Sequence, residues 1–186
     1  MITVTAPEGT LAYATYAARF ESLIMTATLA QMEQAAVWYR DAEEVAEEVA
    51  RNLDTTLEVG ASIVAAFSPR ERWSTNVAKA IAFSLGQTPK GLGNNLRMAQ
   101  ASMVAGFDAL NGLKTNAFAR AIAGDTDAVV IDVWMIRAAY LDASKGVNKS
   151  QYNTLVNSVC KVAKEFGLTP RTAQALIWIV KRGSAE

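Results

Sequence analysis

The chain contains no histidine, a single cysteine (Cys160) and four prolines among its 186 residues. Without histidine, Ser-His and Cys-His catalytic dyads are excluded, and the commonest zinc ligand is missing. One cysteine excludes an internal disulfide framework and any four-thiolate metal or iron–sulfur site within one chain. We therefore expect no cofactor and no metal site. Any chemistry would have to come from carboxylate, lysine or tyrosine side chains, or from an external cofactor.

Long uninterrupted apolar runs are also lacking. Glu8, Arg19 and Glu21 interrupt the apolar residues near the N-terminus, which is not the pattern of a secretory signal peptide. Polar residues divide the later apolar stretches, so no transmembrane segment is predicted. Hydrophobic residues nevertheless make up 51% of the chain, enough for a packed core. We expect a soluble, cytoplasmic protein.

The two parts of the chain carry opposite charge, although the net charge is zero. Residues 1–60 contain 3 basic and 10 acidic side chains, whereas residues 61–186 contain 15 basic and 8 acidic ones. The basic part is compatible with nucleic-acid binding. A solvated acidic helix near the N-terminus explains the same asymmetry equally well, so charge alone leaves both interpretations open.

The abundance of Ala, Leu, Glu, Lys, Gln and Met, with little Pro and Gly, favours an all-α fold. Helical periodicity predicts amphipathic helices over residues 9–25 and 28–53. We expect residues 1–54 to form an acidic helical extension packed on a main helical domain, residues 55–186. The apolar stripe predicted for the first helix consists of Leu11, Ala14, Ala18 and Met25.

Capping residues predict the starts of two helices in the main domain. Ser68-Pro69-Arg70-Glu71 predicts a helix start, with Ser68 as N-cap, Pro69 in the first turn and Glu71 completing a capping box. Asp132 stands where a helix follows an apolar segment, and that helix is predicted to extend to Asp142.

Three segments, in order, resemble the helix-hairpin-helix DNA glycosylase superfamily. Phe67-Ser68-Pro69-Arg70 is similar to its L-S-x-Q opening, and residues 93–99 are similar to its G-x-x-N-x-K-A segment. Residues 110–137 resemble the hairpin and the following aspartate segment, with the spacing from lysine to aspartate kept. The resemblance covers about residues 55–182, and its compact pattern is similar to small phage-encoded members.

The resemblance implies a glycosylase-like fold that binds double-stranded DNA and acts on a damaged or modified base. It implies Asp132 as a catalytic acid residue and Lys114 as nucleophile or phosphate contact. The residues it places against DNA are Asn111, Gly112, Lys114, Thr115, Arg70, Arg97, Arg120 and Arg137. The residues it offers as walls of a base pocket are Trp73, Phe118, Trp134 and Tyr140.

Each of these residues also has a purely structural interpretation. Asp132 can serve as a helix N-cap, Lys114 as a solvated first-turn lysine, and the tryptophans as core residues. Relative to the family's L-P-G-V-G-x-K hairpin, Leu110-Asn111-Gly112-Leu113-Lys114 is shorter and has one glycine. Trp134 replaces the histidine of the family's V-D-T-H segment. These differences favour an alternative: a non-catalytic, phage-encoded protein of this fold that binds DNA or a host protein and interferes with host growth.

Overall fold

The computed structural model describes residues 8–91 and 93–184, with side chains described from residue 12 onward. These residues form helices and connecting turns without a β-strand, which confirms the predicted all-α class. The helices, in chain order, are α1 (Glu8–Met25), α2 (Leu29–Asn52), α3 (Leu57–Phe67), α4 (Trp73–Ser84), α5 (Gly93–Ala105), a 3₁₀ helix (Gly106–Ala109), α6 (Leu113–Ile122), α7 (Val133–Ala138), α8 (Lys149–Glu165) and α9 (Pro170–Arg182). None of these described helices is long and apolar enough to span a membrane.

The chain divides into two compact units that are not continuous in sequence. Unit A consists of the described residues of Met1–Ala36 together with Val129–Ala185, and unit B consists of Val37–Ala128. These limits differ from the predicted boundary at residue 54. The physical reason is that α1 packs against α8 and α9, which are more than 120 residues away in sequence. Helix α2 contributes its beginning to unit A and the rest to unit B.

The core of unit A forms between α1, α7, α8 and α9. Phe20 of α1 is fully buried, as are Leu155 of α8 and Ile177 of α9. Removing side chains of this size from water is the main source of folding free energy. Helix α9 is fixed at both ends: Thr169 caps its start, and Gly183 ends it at a positive φ of 93°.

Helix α3 is the centre of unit B and packs against α4, α5 and α6. Every residue from Gly60 to Phe67 is buried, so this part of α3 is enclosed on all sides. Gly60 lies where α2 crosses α3, because a Cβ atom at this position would collide with the backbone carbonyl of Ala46. The absence of a side chain therefore sets how closely the two helices approach.

The apolar face predicted for α1 was wrong. Ala14, Ala18 and Met25 are exposed, and the buried face consists of Tyr16, Ala17, Phe20 and Ile24; the side chain of Leu11 lies outside the described residues. Alanine is compatible with either environment, so the larger aromatic and aliphatic side chains determined which face packs against α8 and α9.

The predicted start of α4 was also wrong. Ser68 is the C-cap of α3, where its Oγ donates a hydrogen bond to the Ala65 carbonyl over 2.8 Å. Arg70 has a positive φ of 64°, and α4 begins after Arg72. Glu71 forms an ion pair with Lys79 instead of completing a capping box. The Pro69 carbonyl accepts a hydrogen bond from the buried amide of Asn95, which fixes this turn.

Helix α7 ends earlier than predicted, at Ala138 instead of Asp142. Tyr140 terminates it by adopting a left-handed conformation with φ of 56°. Such a conformation is costly for a residue with a Cβ atom and needs compensating contacts. Tyr140 has two, since Arg19 and Lys181 both lie over its ring.

Candidate functional site

Asp132 is held by three hydrogen bonds in unit A. Its Oδ1 accepts from the backbone N–H groups of Trp134 and Met135 over 2.9 and 3.0 Å, which makes it the N-cap of α7. Its Oδ2 accepts from the indole Nε1 of Trp178 over 2.9 Å. Both carboxylate oxygens therefore have defined donors, and the side chain joins the start of α7 to α9.

The two tryptophans beside Asp132 each carry an arginine on the ring face. The guanidinium of Arg137 lies 4.6 Å from the Trp134 ring centroid, and that of Arg182 lies 4.8 Å from the Trp178 ring centroid. Cation–π contacts of this kind hold the charged groups close to half-buried aromatic surfaces. Unit A thus presents a carboxylate flanked by two arginine–tryptophan pairs.

A buried tyrosine fixes the segment that leads to Asp132. Residues 128–131 are buried but not helical, so their backbone groups need partners outside a helix. The hydroxyl of Tyr152 donates to the Val129 carbonyl over 3.3 Å and accepts from the Ile131 N–H over 3.4 Å. Burial raises the pKa of the Tyr152 phenol above its usual value of 10.0, and the negative charge of Asp132 adds to the increase.

The predicted hairpin forms part of unit B. The 3₁₀ helix and α6 are joined by Leu110, Asn111 and Gly112, and Lys114 occupies the second position of α6. Asn111, Gly112 and Leu113 are exposed, and Lys114 is half-buried. Thr115 is buried, with 8% exposure.

Gly112 does not need to be glycine for conformational reasons. Its φ of −87° is accessible to any residue, and an added Cβ would meet only the Thr115 Oγ1 atom, at an ordinary 3.6 Å. As the residue before α6, it provides no side chain to cap the helix. The start of α6 is therefore sterically open.

Asn116 makes the hairpin rigid. Its Nδ2 donates to the carbonyls of Phe107 and Leu110, over 2.9 and 3.4 Å, and its Oδ1 accepts from Arg120 Nε over 2.9 Å. The Arg120 guanidinium also lies 4.7 Å from the Phe107 ring centroid. The Asn116 side chain thus hydrogen-bonds to the 3₁₀ helix, to the turn and to the Arg120 guanidinium.

Two of the predicted pocket aromatics lie in a separate cluster within unit B. Trp73 and Phe118 contact each other at 6.4 Å between centroids, and both contact Trp38, at 5.4 and 5.9 Å. The rings of this cluster pack on one another in tilted and edge-on geometries. In this structure they form a packed cluster rather than parallel walls separated by a base-sized gap.

The remaining predicted DNA contacts in unit B are exposed arginines. Arg70 lies in the turn before α4, Arg97 lies on α5, and Arg120 lies near the end of α6. Arg97 makes one weak hydrogen bond, over 3.5 Å, to the Asn94 side chain. Arg72, another arginine of the basic part of the chain, is exposed at the N-cap position of α4.

The structure divides the predicted site residues between the two units. Asp132, Trp134, Arg137 and Tyr140 lie in unit A, whereas Lys114, the hairpin and the other predicted arginines lie in unit B. The proposed catalytic pair is therefore not assembled within either unit.

Three residues that organise these sites were not found from sequence. Trp178 contacts Asp132 across 46 residues, Tyr152 reaches Val129 across 23 residues, and Asn116 holds the hairpin from within α6. The hydrogen bonds of Asn116 join residues that are close in sequence, so local sequence analysis could have identified its role. The partners of Trp178 and Tyr152 depend on helix packing that no local pattern reveals.

These sites belong to an all-helical protein built of two units, one with an aspartate between two arginine–tryptophan pairs and one with a braced helical hairpin. The chain belongs to DUF7178, a family of unknown function, whose model matches residues 4–185. No curated protein and no solved structure matches the chain.

Proposed function

We propose that the chain is a DNA-binding protein that contacts the backbone of duplex DNA through the starts of α4 and α6 in unit B. The observation that carries this proposal is the exposure of two helix starts that have no side-chain cap. Arg72 and Gly112 precede these helices without capping them, whereas Thr56, Asp132, Asn148 and Thr169 cap α3, α7, α8 and α9.

A helix start attracts anions because its first N–H groups have no intrahelical acceptor and carry the positive end of the helix dipole. Basic side chains add to the positive potential at both helix starts: Arg70 and Arg72 precede α4, and Lys114 lies in the first turn of α6. Between residues 68 and 120 the chain has seven basic side chains and only two acidic ones. A polyanion such as DNA fits this charge distribution.

The two helix starts are also linked through side-chain packing. Trp73, the first residue of α4, contacts Phe118 of α6, so the beginning of one helix packs directly on the other. The Asn116 hydrogen bonds hold the hairpin before α6 in one geometry. Such rigidity supports phosphate binding because the recognising groups need not be ordered upon contact.

Within this proposal, binding without catalysis is better supported than base modification. The three hydrogen bonds of Asp132 give it a structural role at the start of α7 and against α9. Base modification is supported by the environment of the same carboxylate, because Trp134 and Trp178 provide half-buried aromatic surfaces beside it. Asp132→Asn separates the two functions. A base-modifying enzyme would lose turnover while keeping DNA affinity, whereas a binding protein would have no turnover to lose.

The test is fluorescence anisotropy with a labelled 20-base-pair duplex over a range of salt concentrations. We expect affinity to fall as salt rises, and Arg72→Glu, Arg97→Glu and Lys114→Glu each to weaken binding and flatten the salt dependence. Arg40→Glu is the matched control, because Arg40 is an exposed arginine on the acidic helix α2. If wild type fails to bind at low salt, or the control weakens binding as much as the others, the proposed surface is wrong.

A further inference from the structure

One side of α1 is open and forms the floor of a groove in unit A. The groove has a volume of about 670 Å³. Its lining consists of Ala14, Thr15, Ala18, Arg19, Ser22, Leu23, Thr26 and Tyr140. The opposite side of α1 packs into the core against α8 and α9, so the groove lies on the face that unit A leaves uncovered.

Small side chains occur at a helical interval along this floor. Ala14, Ala18 and Ser22 are spaced four residues apart and are all exposed. Residues at this spacing lie on one face of a helix, and small ones allow a second helix to approach closely. The shape of the floor therefore suits a helix rather than a flat surface.

Exposed apolar side chains occur near the C-terminal end of α1. Met25 at the end of α1 and Leu29 at the start of α2 are 71% and 72% exposed, and Met32 follows one turn later. Flexible methionines adapt to the shape of a partner and are common at protein-binding surfaces. An amphipathic helix could cover these side chains with its own apolar face.

Positive charge lies beside the middle of the groove, because Arg19 is midway along the α1 residues that line it, between Ala14 and Thr26. The Arg19 guanidinium and the Lys181 ammonium lie 4.7 and 5.2 Å from the centroid of the Tyr140 ring, and Arg19 also donates to the Ala139 carbonyl. The groove lining contains no acidic side chain. Two cations held against the Tyr140 ring beside the groove complement an acidic group on whatever occupies it.

We propose that this groove is the docking site for an amphipathic helix of another protein, one with acidic residues where it meets Arg19 and Lys181. This inference goes beyond DNA binding and uses a different surface.

A second copy of the chain is a poorer occupant. Antiparallel pairing of two α1 helices about Ala18 would bring the two Arg19 side chains together, which is repulsive. The acidic helix α2 is amphipathic, but Ala42, Ala46 and Val49 of its apolar face are already buried. A nucleic acid is also less suitable, because both cations cluster at Tyr140 and the rest of the floor offers methyl and hydroxyl groups to its phosphates.

The test uses two fluorescein-labelled 18-residue helical peptides with the same leucine face. One carries three glutamates near its middle, and the other carries lysines at those positions. Fluorescence anisotropy with the full chain should show at least tenfold tighter binding of the acidic peptide. Ala18→Trp, which fills the groove, should abolish binding, and Lys181→Glu should remove the preference for the acidic peptide.

Ala78→Trp is the matched control, because Ala78 is also an exposed helical alanine, but on α4 of unit B. Ser22→Trp replaces Ala18→Trp if circular dichroism shows that the latter is misfolded. The proposal is overturned by equal affinity for the two peptides, by unchanged binding in the groove variant, or by displacement of the peptide by a single-stranded oligonucleotide. A dimer in sedimentation that Ala18→Trp dissociates would also overturn it, since the occupant would then be a second copy.

Discussion

The indole Nε1 of Trp178 donates a hydrogen bond of 2.9 Å to Oδ2 of Asp132, a residue 46 positions earlier in the chain. The other carboxylate oxygen caps α7, so one side chain stabilises a helix start and attaches it to α9. Hydrogen bonds to a charged acceptor are stronger than neutral ones, and loss of the acceptor leaves the donor unpaired. Asp132 is therefore a structural residue whatever further role it has.

Two substitutions at Asp132 should have different effects on stability. Asp132→Ala removes both the cap and the Trp178 acceptor and should lower the free energy of unfolding by about 2 to 4 kcal/mol. Asp132→Asn keeps a capping oxygen but turns an amide N–H₂ group toward the indole N–H, so a loss of about 1 to 2 kcal/mol is expected. Urea unfolding with Trp178→Phe completes a double-mutant cycle, and strictly additive losses would contradict the Asp132–Trp178 interaction.

Gly60→Ala should be strongly destabilising. The added Cβ would collide with the Ala46 carbonyl, a backbone atom that cannot move without shifting α2. We expect a loss of about 2 to 3 kcal/mol in the free energy of unfolding, measured with urea. Gly93→Ala is the control, because nothing lies within 4 Å of a Cβ there. That variant should be neutral or slightly stabilising; an equal loss in both variants would mean that the collision with Ala46 is not the cause.

Tyr152 should make stability depend on pH in the alkaline range. Burial raises the pKa of its phenol in the folded protein, so the folded state holds this proton more tightly than the unfolded state. The contribution of Tyr152 to stability is fully present below pH 10.0, the pKa of tyrosine in the unfolded chain. It falls as the pH rises above that pKa. Tyr152→Phe should cost about 1 to 2 kcal/mol at pH 7, because Val129 and Ile131 lose a partner.

The measurement is urea unfolding of wild type and Tyr152→Phe between pH 8 and pH 11. Other tyrosines and the lysines titrate in both proteins, so the difference between the two curves reports on Tyr152. That difference should shrink above about pH 10, where the unfolded wild type begins to ionise this phenol. A constant difference across the range would show that Tyr152 does not titrate with an altered pKa.

The hairpin should be sensitive to a change of one atom in Asn116. Asn116→Asp keeps the acceptor for Arg120 but replaces the donor to the Phe107 and Leu110 carbonyls with a negatively charged oxygen. Stability should fall by about 2 to 3 kcal/mol in urea unfolding at pH 7. Asn157→Asp, on an exposed position of α8, should change it by less than about 0.5 kcal/mol. Recovery of Asn116→Asp stability at a pH low enough to protonate the carboxyl would support this explanation.

The amino-acid sequence determined the all-α class and most helix positions, because these follow from local propensity and apolar periodicity. Helices α1 and α2, at Glu8–Met25 and Leu29–Asn52, lie within one residue of the predicted ranges 9–25 and 28–53. The sequence also placed Asp132 at a helix start, and its capping role follows from local geometry. Predictions of DNA binding and of catalysis drew on resemblance, and they stay predictions.

Tertiary structure decided what local patterns leave open. Alanines suit either face of α1, so only packing against α8 and α9 determined that Ala14 and Ala18 stay exposed. The helix start predicted at Ser68 does not form. The Ser68 hydroxyl hydrogen-bonds to α3 instead, and Asn95 fixes the turn that follows. The partners of Asp132 and Tyr152 come from distant helices, and the division into two units depends on contacts across most of the chain. Local sequence specifies which helices form, but the burial of large side chains selects which of them meet.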